Sequence, residues 1–238
     1  MNTPKSILIA LLCLVWTMGF SQKKEKTPTA TIDTKQQTYQ ERRVVLDRAL
    51  QYGDLAVATQ ATHDILALGN EFSHYRDSLA LLYFQRAAWP QVIAVTSDIL
   101  TSKPKELGPL ELRAVAYQTI GRPKESLTDY EALFALTQSP YHQYEIAALQ
   151  YTMRRLGECA MTLDALMQNP AIKDLEIRIS TNQSQQSVPM KAACRNMAGV
   201  LLMDQGKRDE AKKAIEEALA IFPEFELAKN NLNEVLKP

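Results

Sequence analysis

Residue types that could catalyse a reaction or hold a metal are few in this 238-residue chain, and their spacing fits neither use. The histidines His63, His74 and His142 are not paired at metal-ligand spacing, and the His-Glu-x-x-His pattern of zinc hydrolases is absent. Ser102 and Lys105 match Ser-x-x-Lys, but a proline between them prevents the helix that must bring the lysine onto the serine. We therefore predict a protein that is not an enzyme and has no cofactor or metal.

Composition excludes one binding class and favours one fold class. The 27 basic and 27 acidic side chains give a net charge of zero. A general nucleic-acid binder needs clustered basic excess, so we expect no nucleic-acid partner. Glycine is scarce, at 8 residues, whereas alanine and leucine are abundant. This composition favours an all-α fold.

The amino terminus is typical of an export signal. Lys5 precedes an apolar run over residues 7–15, and small residues at Gly19 and Ser21 fit a cleavage site. We predict a signal peptide at 1–21. The apolar run is shorter than the roughly 20 residues of a spanning helix, which argues against the alternative of a membrane anchor. The polar, threonine-rich residues 22–38 are then expected to form a flexible linker.

Two cysteines remain after the predicted cleavage, Cys159 and Cys194. An oxidising compartment would allow a disulfide between them. Two small buried side chains at helix contacts are the other interpretation. No paired-cysteine spacing decides between the two.

Small residues recur at fixed places over residues 192–225. Gly199, Gly206, Ala211 and Pro223 stand at the eighth, fifteenth, twentieth and thirty-second places of this segment. The pattern resembles the tetratricopeptide repeat (TPR), a helix–turn–helix unit of about 34 residues. In that unit, glycine suits the turn after the first helix and proline ends the second.

The same period continues towards the amino terminus without a change of register. Four further units are predicted, at 39–72, 73–106, 107–140 and 141–174. In the last of them Arg155 stands at the glycine place, so its turn is the least regular. The resemblance implies one domain over 39–238: a helix–turn–helix solenoid of about five repeats, with a capping helix over 226–236.

The segment 175–191 interrupts the repeats and has a different period. Leu175, Ile177 and Ile179 alternate with polar residues, and a polar run separates them from Val188 and Pro189. We predict an inserted β-hairpin over about 175–190. Its apolar face could fill the space between two units, or its outer strand could pair with a partner strand; burial favours the first.

The resemblance also implies a concave surface lined by the first helix of every unit. Its second, fifth, ninth, twelfth and thirteenth places predict the partner-binding residues. These are Arg43, His74, Asp77, Phe84, Glu111, Gln118, His142, Glu145, Met153 and Asn196. Apolar side chains at the ninth place, such as Leu81 and Val115, either contact a partner or pack between helices. The basic clamp with which some members of the family hold a peptide carboxylate is missing.

These observations predict a scaffold or adaptor that binds a peptide or protein segment in the concave groove. The predicted signal places it in the cell envelope, in the periplasm or on the periplasmic face of the outer membrane, with no transmembrane anchor after cleavage. Two other functions stay open: an accessory protein that holds a small ligand or glycan, and a self-assembling structural module.

Overall fold

The computed structural model describes residues 34–180 and 185–237. The predicted signal peptide and the hairpin turn at 181–184 lie outside the described residues. Within them the chain forms eleven α-helices and one two-stranded sheet. The helices are α1 (Thr34–Gln51), α2 (Leu55–Leu66), α3 (Tyr75–Gln85), α4 (Trp89–Ser102), α5 (Leu107–Thr119), α6 (Pro123–Thr137), α7 (Pro140–Thr152), α8 (Leu156–Gln168), α9 (Met190–Asp204), α10 (Arg208–Ile221) and α11 (Glu226–Leu236).

Consecutive helices pack as pairs, and each pair packs on the next. The five pairs, from α1–α2 to α9–α10, are referred to below as units one to five. They form the predicted helical solenoid, with the hairpin inserted between units four and five. This arrangement confirms the predicted fold class.

One turn geometry recurs between the two helices of every unit, and each turn contains a residue with positive φ. These residues are Gly53, Ala87, Gly121, Arg154 and Gly206. At Gly206 (φ 75°) the next N–H, of Lys207, donates to the carbonyl of Leu202 at 3.0 Å, which closes the end of α9. In unit four the left-handed residue is Arg154, one place before the Arg155 that occupies the glycine place of the pattern.

The first helix begins earlier than predicted. α1 starts at Thr34, so the last five residues assigned to the flexible linker 22–38 are helical; the rest of that linker lies outside the described residues. The hydroxyl of Thr38 donates to the Thr34 carbonyl at 2.8 Å within the first turn. Tyr39 stacks on Phe72 with ring centroids 4.7 Å apart. This aromatic packing holds the first turns of α1 against the segment Asn70–Phe72 that follows α2.

The hairpin is present and it is buried on one side. β1 (Glu176–Ser180) pairs antiparallel with β2 (Gln185–Pro189), and Ile177 lies opposite Val188. Both side chains are buried in the core that units four and five share with the last helix. The apolar face of the hairpin therefore fills the space between these units.

The hairpin also holds the capping helix. The side-chain amide of Gln186 donates to the Glu224 carbonyl at 2.6 Å, and its oxygen accepts from the N–H of Glu226 at 2.9 Å. It thereby satisfies a backbone donor in the first turn of α11 that the helix itself leaves unpaired. Ala228 and Val235 are the buried residues of α11, and through them the helix packs on the end of unit five.

Both cysteines are buried free thiols in this same core. Burial raises the pKa of Cys159 to about 11 and that of Cys194 to about 12. They therefore pack as small apolar side chains.

Candidate functional site

An open cavity lies between the first helices of units two and three. It has a volume of about 490 Å³ and opens to solvent. We call it the α3/α5 groove. Its walls are α3, the start and middle of α5, and the last residue of the preceding loop. It is lined by Asp77, Ala80, Leu81, Phe84, Glu106, Gly108, Pro109, Glu111, Leu112 and Val115.

At the rim of the groove α5 carries a glycine, Gly108, and therefore no side chain. At the second place of their units, two other first helices carry His74 and His142, whereas α5 carries Gly108. A Cβ at Gly108 would meet no atom within 4 Å, so the space above the helix is open. The following residue, Pro109, is tolerated in the first turn of α5, where the backbone N–H has no helical partner.

The middle of the groove is apolar. Leu81 leaves 51% of its surface exposed, although it lies in a helix whose neighbouring residues Ala80 and Leu82 are buried. Phe84 is partly buried, and its ring meets the edge of Trp89 with centroids 5.3 Å apart. Val115 is partly exposed on the facing helix. An exposed leucine beside a partly exposed aromatic ring and valine is suited to covering by a ligand.

Carboxylates stand at the other end of the groove, near the N-termini of α3 and α5. Glu106 forms an ion pair with Lys103 at 3.4 Å. Asp77 and Glu111 are exposed, and no cation of the described residues forms an ion pair with either one. The groove is therefore apolar along one side and anionic along the other.

Asp77 and Glu111 belong to a row at the fifth place of successive units, which continues to Glu145 on α7. Glu145 is partly buried, and burial raises the pKa of its carboxyl, while a hydrogen bond from Gln118 partly opposes that shift. Gln118 itself is exposed on α5. Tyr130 lies close enough to Glu111 and Glu145 for their charges to raise its phenol pKa, in addition to the effect of burial.

His142 is part of the same polar cluster beneath the concave surface. Its Nδ1 lies 3.0 Å from the hydroxyl of Thr137, and its ring centroid is 6.2 Å from that of Tyr130. Burial lowers the pKa of His142, and the charge of Glu111 partly opposes that shift. These contacts account for the position of His142 within the protein itself.

The remaining predicted groove residues are not brought together. Arg43 is exposed on α1 and pairs with Asp47 at 3.8 Å. His74 is exposed beside Tyr75 and lines a separate pocket of about 100 Å³. Met153 packs on the core of units three and four.

Asn196 needs a correction, because it does not line an open surface. It is 4% exposed, and its side-chain oxygen Oδ1 accepts a hydrogen bond from the side-chain amide of Asn231 at 2.8 Å. The capping helix covers the concave side of unit five at this point. The prediction from repeat places treated every unit alike, whereas α11 adds a cover that only unit five has.

Five lining residues were missed by the sequence prediction: Ala80, Glu106, Gly108, Pro109 and Leu112. Gly108 had a readable signal, since glycine replaces a large side chain at a place that faces the groove. Glu106 belongs to the loop between units, and its position depends on where α4 ends. That boundary is not set by the repeat period.

Among the described residues, no group of three or more His, Cys, Asp or Glu side chains is placed to hold a metal ion. The Ser102 hydroxyl donates to the Ile99 carbonyl at 3.0 Å, which ties it to the end of α4. No described helix is both long and apolar enough to cross a lipid bilayer.

A model of the tetratricopeptide repeat family matches residues 192–225. A TPR protein from Parabacteroides merdae ATCC 43184 has a similar structure, with a TM-score of 0.64 and 14% identity over 84% of this chain and 72% of that chain. YrrB, also a TPR protein, has a TM-score of 0.61 and 13% identity, covering 78% and 87%. MamA from Desulfovibrio magneticus RS-1 has a TM-score of 0.61 and 9% identity, covering 79% and 97%.

One curated relative is the outer membrane protein assembly factor BamD of Xylella fastidiosa (strain Temecula1 / ATCC 700964). It is 27% identical over 135 residues, which is 55% of this chain and 41% of the relative. The match thus spans about two fifths of that protein's length. Together, the family match, the shared architecture and the recurring turn geometry show that this chain is a helical solenoid of the tetratricopeptide-repeat type.

Proposed function

We propose that this protein is a non-catalytic adaptor that holds a segment of another protein in the α3/α5 groove. The observation that carries the proposal is the half-exposed Leu81 in an open cavity of about 490 Å³. Covering an exposed apolar side chain at the centre of a concave surface lowers the free energy of the complex and so favours binding.

Two similar proteins support a binding function, each in its own way. YrrB is described as a TPR protein with an unusual peptide-binding site. BamD is named as an assembly factor for outer membrane proteins. With the export signal predicted at 1–21, these descriptions favour an adaptor in the cell envelope, in the periplasm or at the periplasmic face of the outer membrane.

A small-ligand or glycan site is less well supported. Such a site would be deep and lined by several aromatic rings, as carriers of small molecules require an enclosed apolar pocket. The α3/α5 groove is open, and Phe84 is its one aromatic lining residue. An extended or helical segment fits an open trough better than a small molecule does.

The test combines capture with site-specific cross-linking. Wild type, Leu81→Ser and Met161→Ser are used to retain proteins from envelope extracts; Met161 is the control because it is apolar, 74% exposed and on the second helix of unit four. A photo-reactive amino acid is then placed at position 81 or at position 161. We expect a partner that Leu81→Ser fails to retain, that Met161→Ser retains, and that cross-links from position 81.

The proposal is wrong if Leu81→Ser and Met161→Ser retain the same proteins in the same amounts. Equal cross-linking from both positions would also contradict it, because an unspecific surface contact gives that result. Circular dichroism of each variant shows that the helical fold is intact before the result is interpreted.

A further inference from the structure

The chemistry of the groove's occupant follows from how charge and apolar surface are arranged in it. This step rests on the proposed function, that a protein segment lies in the α3/α5 groove. Asp77 and Glu111 are at the same repeat place on neighbouring helices, so they form a short row across the groove. Leu81 and Val115 follow four residues later on the same helices and form a second, apolar row parallel to the first.

The two rows are one helical turn apart, about 5–6 Å along the helix axes. Within each row, the two side chains come from packed helices whose axes are about 8–10 Å apart. A ligand that meets all four side chains at once must therefore cross the helices rather than run along them. It must present cations along one edge and apolar side chains along the other.

The carboxylates are open to such cations. Asp77 and Glu111 are both exposed, and no lysine, arginine or histidine of the described residues forms an ion pair with them. Most other exposed carboxylates on the first helices and loops nearby have a partner, as Asp47 has Arg43 and Glu106 has Lys103. Arg76 and Lys103 line the smaller pocket beside Asp77, but the lining of the α3/α5 groove contains no basic side chain.

We propose that the occupant is an extended cationic and apolar segment of a partner protein, with basic residues three positions apart. In the polyproline II conformation, three residues complete one turn and advance about 9 Å, which matches the spacing between packed helices. Basic side chains at positions i and i+3 then face Asp77 and Glu111. Apolar side chains at i+1 and i+4 face Leu81 and Val115. Phe84 extends the apolar row at its far side.

Three labelled peptides test this chemistry against the full chain by fluorescence anisotropy. The first repeats Lys-Leu-Pro, the second repeats Glu-Leu-Pro, and the third repeats Lys-Ser-Pro. We expect the first to bind and the other two to bind at least tenfold more weakly. The affinity of the first should fall as salt is raised, because exposed ion pairs are screened.

The charge-neutral variant Asp77→Asn/Glu111→Gln should weaken binding of the Lys-Leu-Pro peptide roughly 2- to 30-fold, the range expected for two exposed ion pairs. Its control is Glu131→Gln/Asp164→Asn, which removes the same charge from exposed positions on α6 and α8 that also form no ion pair with a described residue. The control should bind as the wild type does. Equal weakening by both variants would mean unspecific attraction and would overturn the proposal.

Other results separate this inference from the function on which it rests. If Lys-Leu-Pro and Glu-Leu-Pro bind equally and Leu81→Ser abolishes both, the groove binds segments but the cationic preference is wrong. If Leu81→Ser changes nothing, the proposed function itself fails. If sedimentation shows a dimer that Leu81→Ser dissociates, while no peptide binds, the occupant is a second copy of this chain and the inference is overturned.

Discussion

The junction between units two and three and the junction between units four and five are built from the same helix–turn–helix pattern, yet one is open and the other is filled. At the first, Leu81 is 51% exposed above a groove of about 490 Å³. At the second, the inserted hairpin places Ile177 and Val188 in a shared core with both units and α11. Two features separate the junctions: the glycine at Gly108 in the open one and the inserted hairpin in the filled one.

The side chains at the fifth place of successive units become less exposed from the open junction to the filled one. Arg43, Asp77 and Glu111 are exposed, Glu145 is partly buried, and Asn196 is buried under the capping helix. Charged groups occupy the exposed places, and a neutral amide occupies the fully buried one. A buried charge is costly unless it is paired, so the residue type follows the burial. The concave surface is therefore available to a partner in the first three units and closed in the last.

This contrast indicates a division of roles along the solenoid. The carboxyl-terminal block of units four and five, hairpin and α11 shares the largest core among the described residues. Two smaller cores lie before it, one formed by α1 to α3 and one by α4 to α7, and the concave surface of units two and three is open. In a repeat array, stability is close to a sum of unit and interface terms, so the two blocks should respond differently to substitution.

The largest expected effect comes from Phe225→Ala in the filled block. Phe225 is fully buried, and removing its ring leaves a cavity in the core under the hairpin and cap. We expect the free energy of unfolding to fall by about 3–5 kcal/mol. Urea unfolding followed by circular dichroism measures it.

Tyr52→Ala is the control for that loss, because Tyr52 is an aromatic residue with 79% exposure at the opposite end. It should change the free energy of unfolding by no more than about 0.5 kcal/mol. Similar losses in both variants would remove the contrast between the two blocks.

The next effect in size is that of Gly199→Ala, at the closest approach of α9 and α10. A Cβ there would collide with Cγ1 of Ile215 and lie 3.1 Å from the carbonyl of Ala211. Overpacking of this kind costs about 1–3 kcal/mol. Thermal unfolding should show the loss.

Gly157→Ala gives the matched control for the glycine change. Gly157 lies in α8, and a Cβ there would meet nothing within 4 Å. Alanine is the better helix former, so this variant should gain up to about 1 kcal/mol. If both glycine variants lose stability alike, the close approach of α9 and α10 is not what Gly199 provides.

A smaller effect is expected for Gln186→Ala, which removes the side chain that joins the hairpin to α11. Loss of a helix-start hydrogen bond costs about 0.5–2 kcal/mol. Hydrogen exchange should quicken at the first amides of α11, while α9 keeps its protection. Gln185→Ala is the control, because among the described residues the side-chain amide of Gln185 donates to the hydroxyl of Ser180 in the same hairpin, at 3.1 Å. Equal exchange in both variants would show that the hairpin does not hold the cap.

How much of the structure the sequence could predict depends on whether a feature leaves a periodic pattern in the residues. The solenoid, the hairpin and the capping helix follow from periods that the residues carry, and the structure confirms this fold. The left-handed turn residue of unit four could not be located from the sequence, because Arg154 is not a glycine. Its positive φ and the closing hydrogen bond from the Arg155 N–H to the Gln150 carbonyl identify it in the structure.

The site was less predictable than the fold. Repeat places identified Asp77, Phe84 and Glu111 as groove residues, because a shared place implies a shared direction. The same rule failed for Asn196, because burial under α11 is a contact between distant parts of the chain. Which junction stays open depends on two local exceptions, the glycine at Gly108 and the inserted hairpin, and the repeat pattern contains neither.

The smallest expected effect is a pH-dependent one at Glu145, between the open and the filled junctions. Burial raises the folded-state pKa of this carboxyl above its ordinary value of 4.5. Its contribution to stability is then fully present below 4.5 and is lost as pH rises through the raised value. Glu145→Gln stays neutral at every pH. The variant should therefore be more stable than the wild type above the raised pKa, and the difference should shrink as pH falls towards 4.5.

Unfolding midpoints across this pH range measure the difference in stability, with exposed Glu131→Gln as the control. A difference that does not change with pH would mean that packing, and not the buried charge, separates Glu145 from the exposed carboxylates of the groove.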